Sequence, residues 1–201
     1  KKTFLKNNKN IQFLIIGLGL IGGSVAKRLS KNGFEVLAIE KNKSHLNYAK
    51  KSKIIIGSSE KIDSTKKLFV IVSLPPKVIL SNFDKYLDFF HKADFITDCT
   101  SVKNSLLNKI KKNKFESKFI LSHPIAGSEK SGFLNSSEDL FRDKISIISK
   151  HKGLTIPTLQ KCKEFWFELG SKTHNLDPKL HDKVFSLTSH LPHIVAFSLI
   201  A

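Results

Sequence analysis

Two clusters of side chains in this sequence are suited to chemistry. The first is His123-Pro-Ile-Ala-Gly-Ser128-Glu129, which sets an imidazole, a rigid proline, a glycine and a carboxylate close together. Histidine titrates near neutrality and is the side chain best suited to moving a proton at that pH. Ser101, on the end loop of a neighbouring strand, can hydrogen-bond to that imidazole or to a substrate hydroxyl. On spacing alone a single loop histidine is more often a structural group, and both readings stay open. The second cluster is Gly17-x-Gly19-x-x-Gly22, between an apolar run and a helical pattern. Gly17 permits a tight turn, Gly19 lets a pyrophosphate approach the backbone, and Gly22 allows close helix–strand packing. Leu20 and Ile21 stand in this loop against the cofactor, and the helix that follows supplies free N–H groups that favour an anion.

An acidic residue is expected about 20 positions beyond such a loop, at the end of the second strand. Glu40 fills that place. Its carboxylate can accept the adenosine ribose hydroxyls and would repel a 2′-phosphate, which favours NAD over NADP. Lys41 and Lys43 argue the other way, and a solvated strand end is the plain alternative for Glu40. Ser73-Leu-Pro75-Pro76 lies where the nicotinamide half would pass, although prolines there also read as a chain stop. His190 and His193 are three residues apart, but His181 and Asp182 lie more than two helical turns away, so no metal site is expected.

These clusters need a scaffold, and the hydrophobic pattern supplies one. Short apolar runs at 11–16, 35–39, 68–72, 95–97, 119–121 and 145–148 read as strands, with a weaker one at 53–56. Helical patterns follow at 24–29, 43–52, 77–91, 103–112 and 157–170. Alternating strands and helices predict an α/β fold, a Rossmann-type, mostly parallel sheet with helices on both faces. Each chemically loaded segment then falls at the carboxyl end of a strand, with His123 on a loop. After Leu176-Asp-Pro178 the pattern turns purely helical. The expected division is a dinucleotide-binding domain over 1–176 and, over 177–201, the first helix of an all-helical domain.

Composition narrows the function classes. The 201 residues are 40% hydrophobic and 25% charged, the balance of an ordinary globular chain. No apolar run is long enough for a transmembrane helix, so no membrane association is expected. Two distant cysteines, Cys99 and Cys162, fit a reducing, cytoplasmic setting. The net charge of +17 comes almost wholly from lysine, with Arg28 and Arg142 the only arginines. Direct base readout relies on bidentate arginine, so no nucleic-acid partner is expected. The sequence has no Met and stops within an apolar helical pattern at Ala201, which suggests a piece of a longer protein or the product of a shortened gene.

Taken together, several strings resemble the prephenate/arogenate (cyclohexadienyl) dehydrogenase family of tyrosine biosynthesis. They are Gly-Leu-Gly-Leu-Ile-Gly-Gly-Ser at 17–24, Asp-Cys-Thr-Ser-Val-Lys at 98–103, His-Pro-Ile-Ala-Gly-Ser-Glu-Lys-Ser-Gly at 123–132, Leu-Asp-Pro-Lys-Leu-His-Asp at 176–182 and Ser-His-Leu-Pro-His at 189–193. The resemblance implies an NAD-dependent oxidative decarboxylation of a small cyclohexadienol. It implies that His123 takes the proton of the 4-hydroxyl and that Ser101 orients that hydroxyl. It places Ser128, Glu129 and His193 at the substrate pocket, Ser73 and Pro75 against the cofactor, and His181 in a supporting role. It further implies a homodimer for the full-length protein, and a substrate-binding arginine beyond the His193 string, which this sequence does not reach. Two rivals remain. One is a β-hydroxyacid or imine reductase on the same scaffold; the other is a non-catalytic dinucleotide-binding module.

Overall fold

The computed structural model describes residues 10–127 and 130–187. Its centre is one seven-stranded sheet. The strands are β1 (Ile11–Ile16), β2 (Glu35–Ile39), β3 (Lys67–Val72), β4 (Phe95–Asp98), β5 (Phe119–Ile125), β6 (Ile145–Ser149) and β7 (Lys172–Leu176), in the order β2-β1-β3-β4-β5-β6-β7. The strands from β2 to β5 run parallel, β6 is antiparallel to β5, and β7 is parallel to β6. The helices are α1 (Leu20–Lys31), α2 (Lys43–Lys51), α3 (Pro76–Asn82), α4 (Leu87–Lys92), α5 (Asn104–Lys112), α6 (Ile156–Glu168) and α7 (Pro178–Phe185).

All six residues of β1 are buried, and successive side chains enter opposite faces of the sheet. Phe13 and Ile15 join Val25, Leu29, Phe69, Phe165 and Trp166 on one side. Leu14 and Ile16 join Val70, Val72, Phe83, Phe90 and Phe119 on the other. Helices cover both faces, which is why the central strands read as unbroken apolar runs. Among the described residues no helix is long and apolar enough to cross a membrane.

Four local expectations are corrected. The strand at 53–56 shrinks to a single bridge between Leu37 and Gly57, because Lys53 adopts a left-handed conformation (φ 57°). The helix over 77–91 is broken by a 3₁₀ turn at Phe83–Tyr86. Before it, Ser81 Oγ and Asn82 Nδ2 donate to the carbonyls of Lys77 and Val78, which draws them from the helical ladder. β7 is an additional strand with a polar, largely exposed sequence. Finally, His123 lies inside β5 rather than on a loop after it.

The geometry of β5 explains that last point. It pairs with β4 only at Phe119 and Ile120, then with β6 from Leu121 to Ile125. Its outer half therefore has a single neighbour. A strand with one open side tolerates a residue without an N–H, and Pro124 sits there.

Candidate active site

The glycine loop follows β1 directly. Gly17 has φ 98°, a conformation open to glycine, and a Cβ there would lie 2.5 Å from the Ser73 carbonyl oxygen. A Cβ on Gly22 would lie 1.9 Å from the Gly17 carbonyl oxygen, so α1 packs against the loop only through glycine. A Cβ on Gly19 would meet nothing within 4 Å. Gly19 precedes α1 and makes no side-chain cap, and the first turn of α1 has no acidic residue. Gly17 and Gly19 line a cleft of about 370 Å³, and the uncapped start of α1, with its leading N–H groups, borders the cavity next to it. Those features fit a bound pyrophosphate.

Glu40 stands at the far end of this cleft, with Lys41, Val78 and Tyr86. One carboxylate oxygen accepts the Leu18 amide at 2.7 Å, and the other accepts the Asn42 amide at 2.8 Å. Glu40 is therefore a fixed group, not a loosely solvated strand end. A carboxylate has about four acceptor positions, so two remain for ribose hydroxyls. Burial and the nearby Glu40 charge both raise the Tyr86 phenol above its usual range.

A second cavity, of about 440 Å³, continues from the first and shares Gly19, Ser73, Leu74 and Pro75 with it. Leu20, Ile21, Ser101 and His123 line it, together with Ser131 and Gly132. The expected glycine-loop, Ser73–Pro75, Ser101 and His123 positions thus form one continuous trough. Ser128, Glu129 and His193 lie outside the described residues, as does His190.

His123 is held from behind. Its Nδ1 lies 2.9 Å from Nε2 of His181, and Nδ1 of His181 lies 3.0 Å from Oδ1 of Asp182. Asp182 in turn accepts the backbone amides of Lys103 and Asn104, each at 2.8 Å, at the start of α5. A carboxylate at a helix N-terminus is well placed. Burial pushes the Asp182 carboxyl up, but the two amides and His181 outweigh it and hold it below the usual carboxylate range. His181 is fully buried. Desolvation lowers its imidazole, and Asp182 only partly restores it. The Phe185 ring packs against both imidazoles, at 4.8 Å from His123 and 4.5 Å from His181.

A buried ion pair anchors the strand beneath. Lys103 Nζ donates to Asp98 Oδ2 and, at 2.6 Å, to the Ser122 carbonyl. Asp98 Oδ1 accepts the Ser122 amide at 2.9 Å. Here side chains replace the ladder that β4 and β5 abandon after Ile120. Both partners of the pair are fully buried. Desolvation lowers the Lys103 ammonium despite Asp98. Sequence reading singled out Ser101 in 98–103 but not the ion pair, whose work depends on contacts of Lys103 and Asp98 to Ser122, 19 and 24 positions away. The same holds for the link between His123 and His181.

The comparisons with known proteins agree with this geometry. Residues 25–175 match the family profile "Prephenate dehydrogenase, nucleotide-binding domain", and residues 177–201 match "Prephenate dehydrogenase, dimerization domain". A prephenate dehydrogenase of Lactococcus lactis is 32% identical over 195 residues, covering 94% of this chain and 53% of that protein. The chain thus spans about half the length of that relative. The crystal structure of prephenate dehydrogenase from Aquifex aeolicus superimposes with a TM-score of 0.83 at 32% identity, covering 96% of this chain and 70% of that one. The same Aquifex enzyme in complex with hydroxyphenyl propionate and NAD+ gives 0.82 at 31% identity, covering 94% and 68%. With a profile matched over most of its length, a trough built from its glycine loop and His123, and this backbone similarity, the chain belongs to the prephenate dehydrogenase family.

Proposed function

We propose that this chain forms the NAD-binding half and the proton-accepting wall of an enzyme that oxidatively decarboxylates prephenate or arogenate, in tyrosine biosynthesis. The observation that carries the reading is the continuous trough from Glu40, past the glycine loop and Ser73–Pro75, to Ser101 and His123. Bound NAD supplies the hydride acceptor. The Glu40 carboxylate would receive the ribose hydroxyls, and the first turn of α1 the pyrophosphate. His123 would then face the hydroxyl of the substrate carbon that loses hydride.

The chemistry asked of the protein is modest. C4 would give up its hydride while the 4-hydroxyl proton passes to the His123 imidazole, leaving a C4 carbonyl. The ring–carboxylate bond would then break, its electron pair carrying the ring to an aromatic phenolate as carbon dioxide leaves. His123 would return the proton to the phenolate oxygen. Aromatisation drives the reaction, so the chain must chiefly position and deprotonate. Ser101 orients the hydroxyl from the same wall. Ser128, Glu129 and His193 are assigned to the substrate side, as is a homodimer built through the segment that follows 177. A cytoplasmic setting accords with the two free cysteines.

The test is reduction of NAD in the presence of prephenate, then arogenate, by the protein as the organism makes it. Reduction with either substrate, abolished by His123→Asn, is the expected result. NAD binding without reduction from either substrate would remove the substrate assignment. Failure to bind NAD would remove the whole reading.

A further inference from the structure

We propose that Asp182 and His181 form a proton-ordering chain that fixes His123 as the Nδ1–H tautomer, making His181 a positioning residue for the base. The inference rests on the function proposed above for its kinetic consequence, but not for its structural content.

The argument is one of donors and acceptors. Asp182 is a carboxylate and can only accept. Its Oδ1 at 3.0 Å therefore requires a proton on His181 Nδ1. A neutral imidazole carries one proton, so His181 Nε2 is then an acceptor. That nitrogen lies 2.9 Å from His123 Nδ1, which must donate. Neutral His123 then carries no proton on Nε2, which is its basic nitrogen, and His123 lines the trough.

The scheme requires His181 to be neutral, and its surroundings favour that. Among the described residues, the charged groups around it are Asp182 on its own helix, Asp98 at the end of β4 and Lys103 at the start of α5; His123 approaches from β5. The Lys103 ammonium opposes a second positive charge, and burial opposes it more. The two carboxylates favour it less than burial disfavours it, so the imidazole stays below its ordinary range. Asp182 cannot easily turn away, because both of its oxygens are held by backbone amides. The chain is thus anchored at the helix α5 end and is free to express only one tautomer at the His123 end.

The experiment is nitrogen NMR of histidine-labelled protein, with His123 assigned by its loss in His123→Gln. The expected spectrum has His123 Nε2 unprotonated and Nδ1 protonated at neutral pH. A protonated Nε2 would overturn the proposal. This result stands whether or not the protein oxidises prephenate or arogenate, so it separates this inference from the function it builds on. The second arm is His181→Leu. It is expected to mix the two His123 tautomers, lower kcat about 100-fold, shift the acid limb of the kcat pH profile and leave NAD affinity unchanged. An unaltered tautomer, kcat and pH profile would overturn it.

Discussion

The carboxylate of Glu40 accepts the backbone amide of Leu18 at 2.7 Å, tying the end of β2 to the glycine loop across 22 residues. The residue that would read the ribose also shapes the loop that would hold the phosphates. Replacing it should therefore do two things at once. Glu40→Ala is expected to weaken NAD about 10-fold or more, the scale of a lost charge-assisted hydrogen bond. It should also raise affinity for NADP relative to NAD, because Lys41 is then the nearest charge in the cleft. Titration of both dinucleotides measures this. An unchanged ratio would mean that Glu40 only shapes the loop.

The glycines divide by what a methyl group would strike. At Gly22 it would meet the Gly17 carbonyl at 1.9 Å, backbone that cannot move aside cheaply. Gly22→Ala should lower the melting temperature and abolish dinucleotide binding together. At Gly19 the same methyl has open space. Gly19→Ala should melt close to the parent yet bind NAD at least 10-fold more weakly, by excluding the pyrophosphate. Equal NAD affinity in Gly19→Ala would place the cofactor elsewhere.

The pair between Asp98 and Lys103 should be stabilising only as a pair. Lys103→Met leaves a buried carboxylate without its counter-charge, and a loss of about 3–5 kcal/mol is expected in urea unfolding. Replacing both partners with apolar residues should cost less than either single change. A single substitution costing under about 1 kcal/mol would show that water reaches the pair and compensates.

Stability should also fall in acid, in two stages. Folded His181 holds its proton less readily than a free histidine at 6.5. The unfolded chain therefore takes up the extra proton first, and stability declines as pH drops below about 6.5. Asp182 is held below its ordinary 3.8, so its contribution is complete above that value and is lost as pH falls through its folded value. Urea midpoints from about pH 7.5 to pH 3 test this. His181→Leu should flatten the upper stage and shrink the lower one to what the two backbone amides on Asp182 sustain.

What was legible from sequence was local. The glycine loop, its helix and Glu40 follow from spacing, because a turn, a helix start and a strand end are set by neighbouring residues. Central strands were legible because both faces of the sheet are covered. β7 was not, because an edge strand with the sequence Lys-Thr-His-Asn-Leu carries no apolar alternation. His123 was expected on a loop because proline signals an ending. Only the departure of β5 from β4 at Ile120 reveals a strand able to hold Pro124. The contact to His181 spans 58 residues and has no local signature.

The contact between the two imidazoles has a further consequence. One ring belongs to the segment matched by the nucleotide-binding profile, and the other to the segment matched by the dimerization profile. Between them the chain passes through Asp177 and Pro178, where α7 begins. A pivot at that point would stretch the 2.9 Å contact before it disturbed either hydrophobic cluster. On the tautomer proposal above, the seating of α7 would then set which nitrogen of His123 carries its proton.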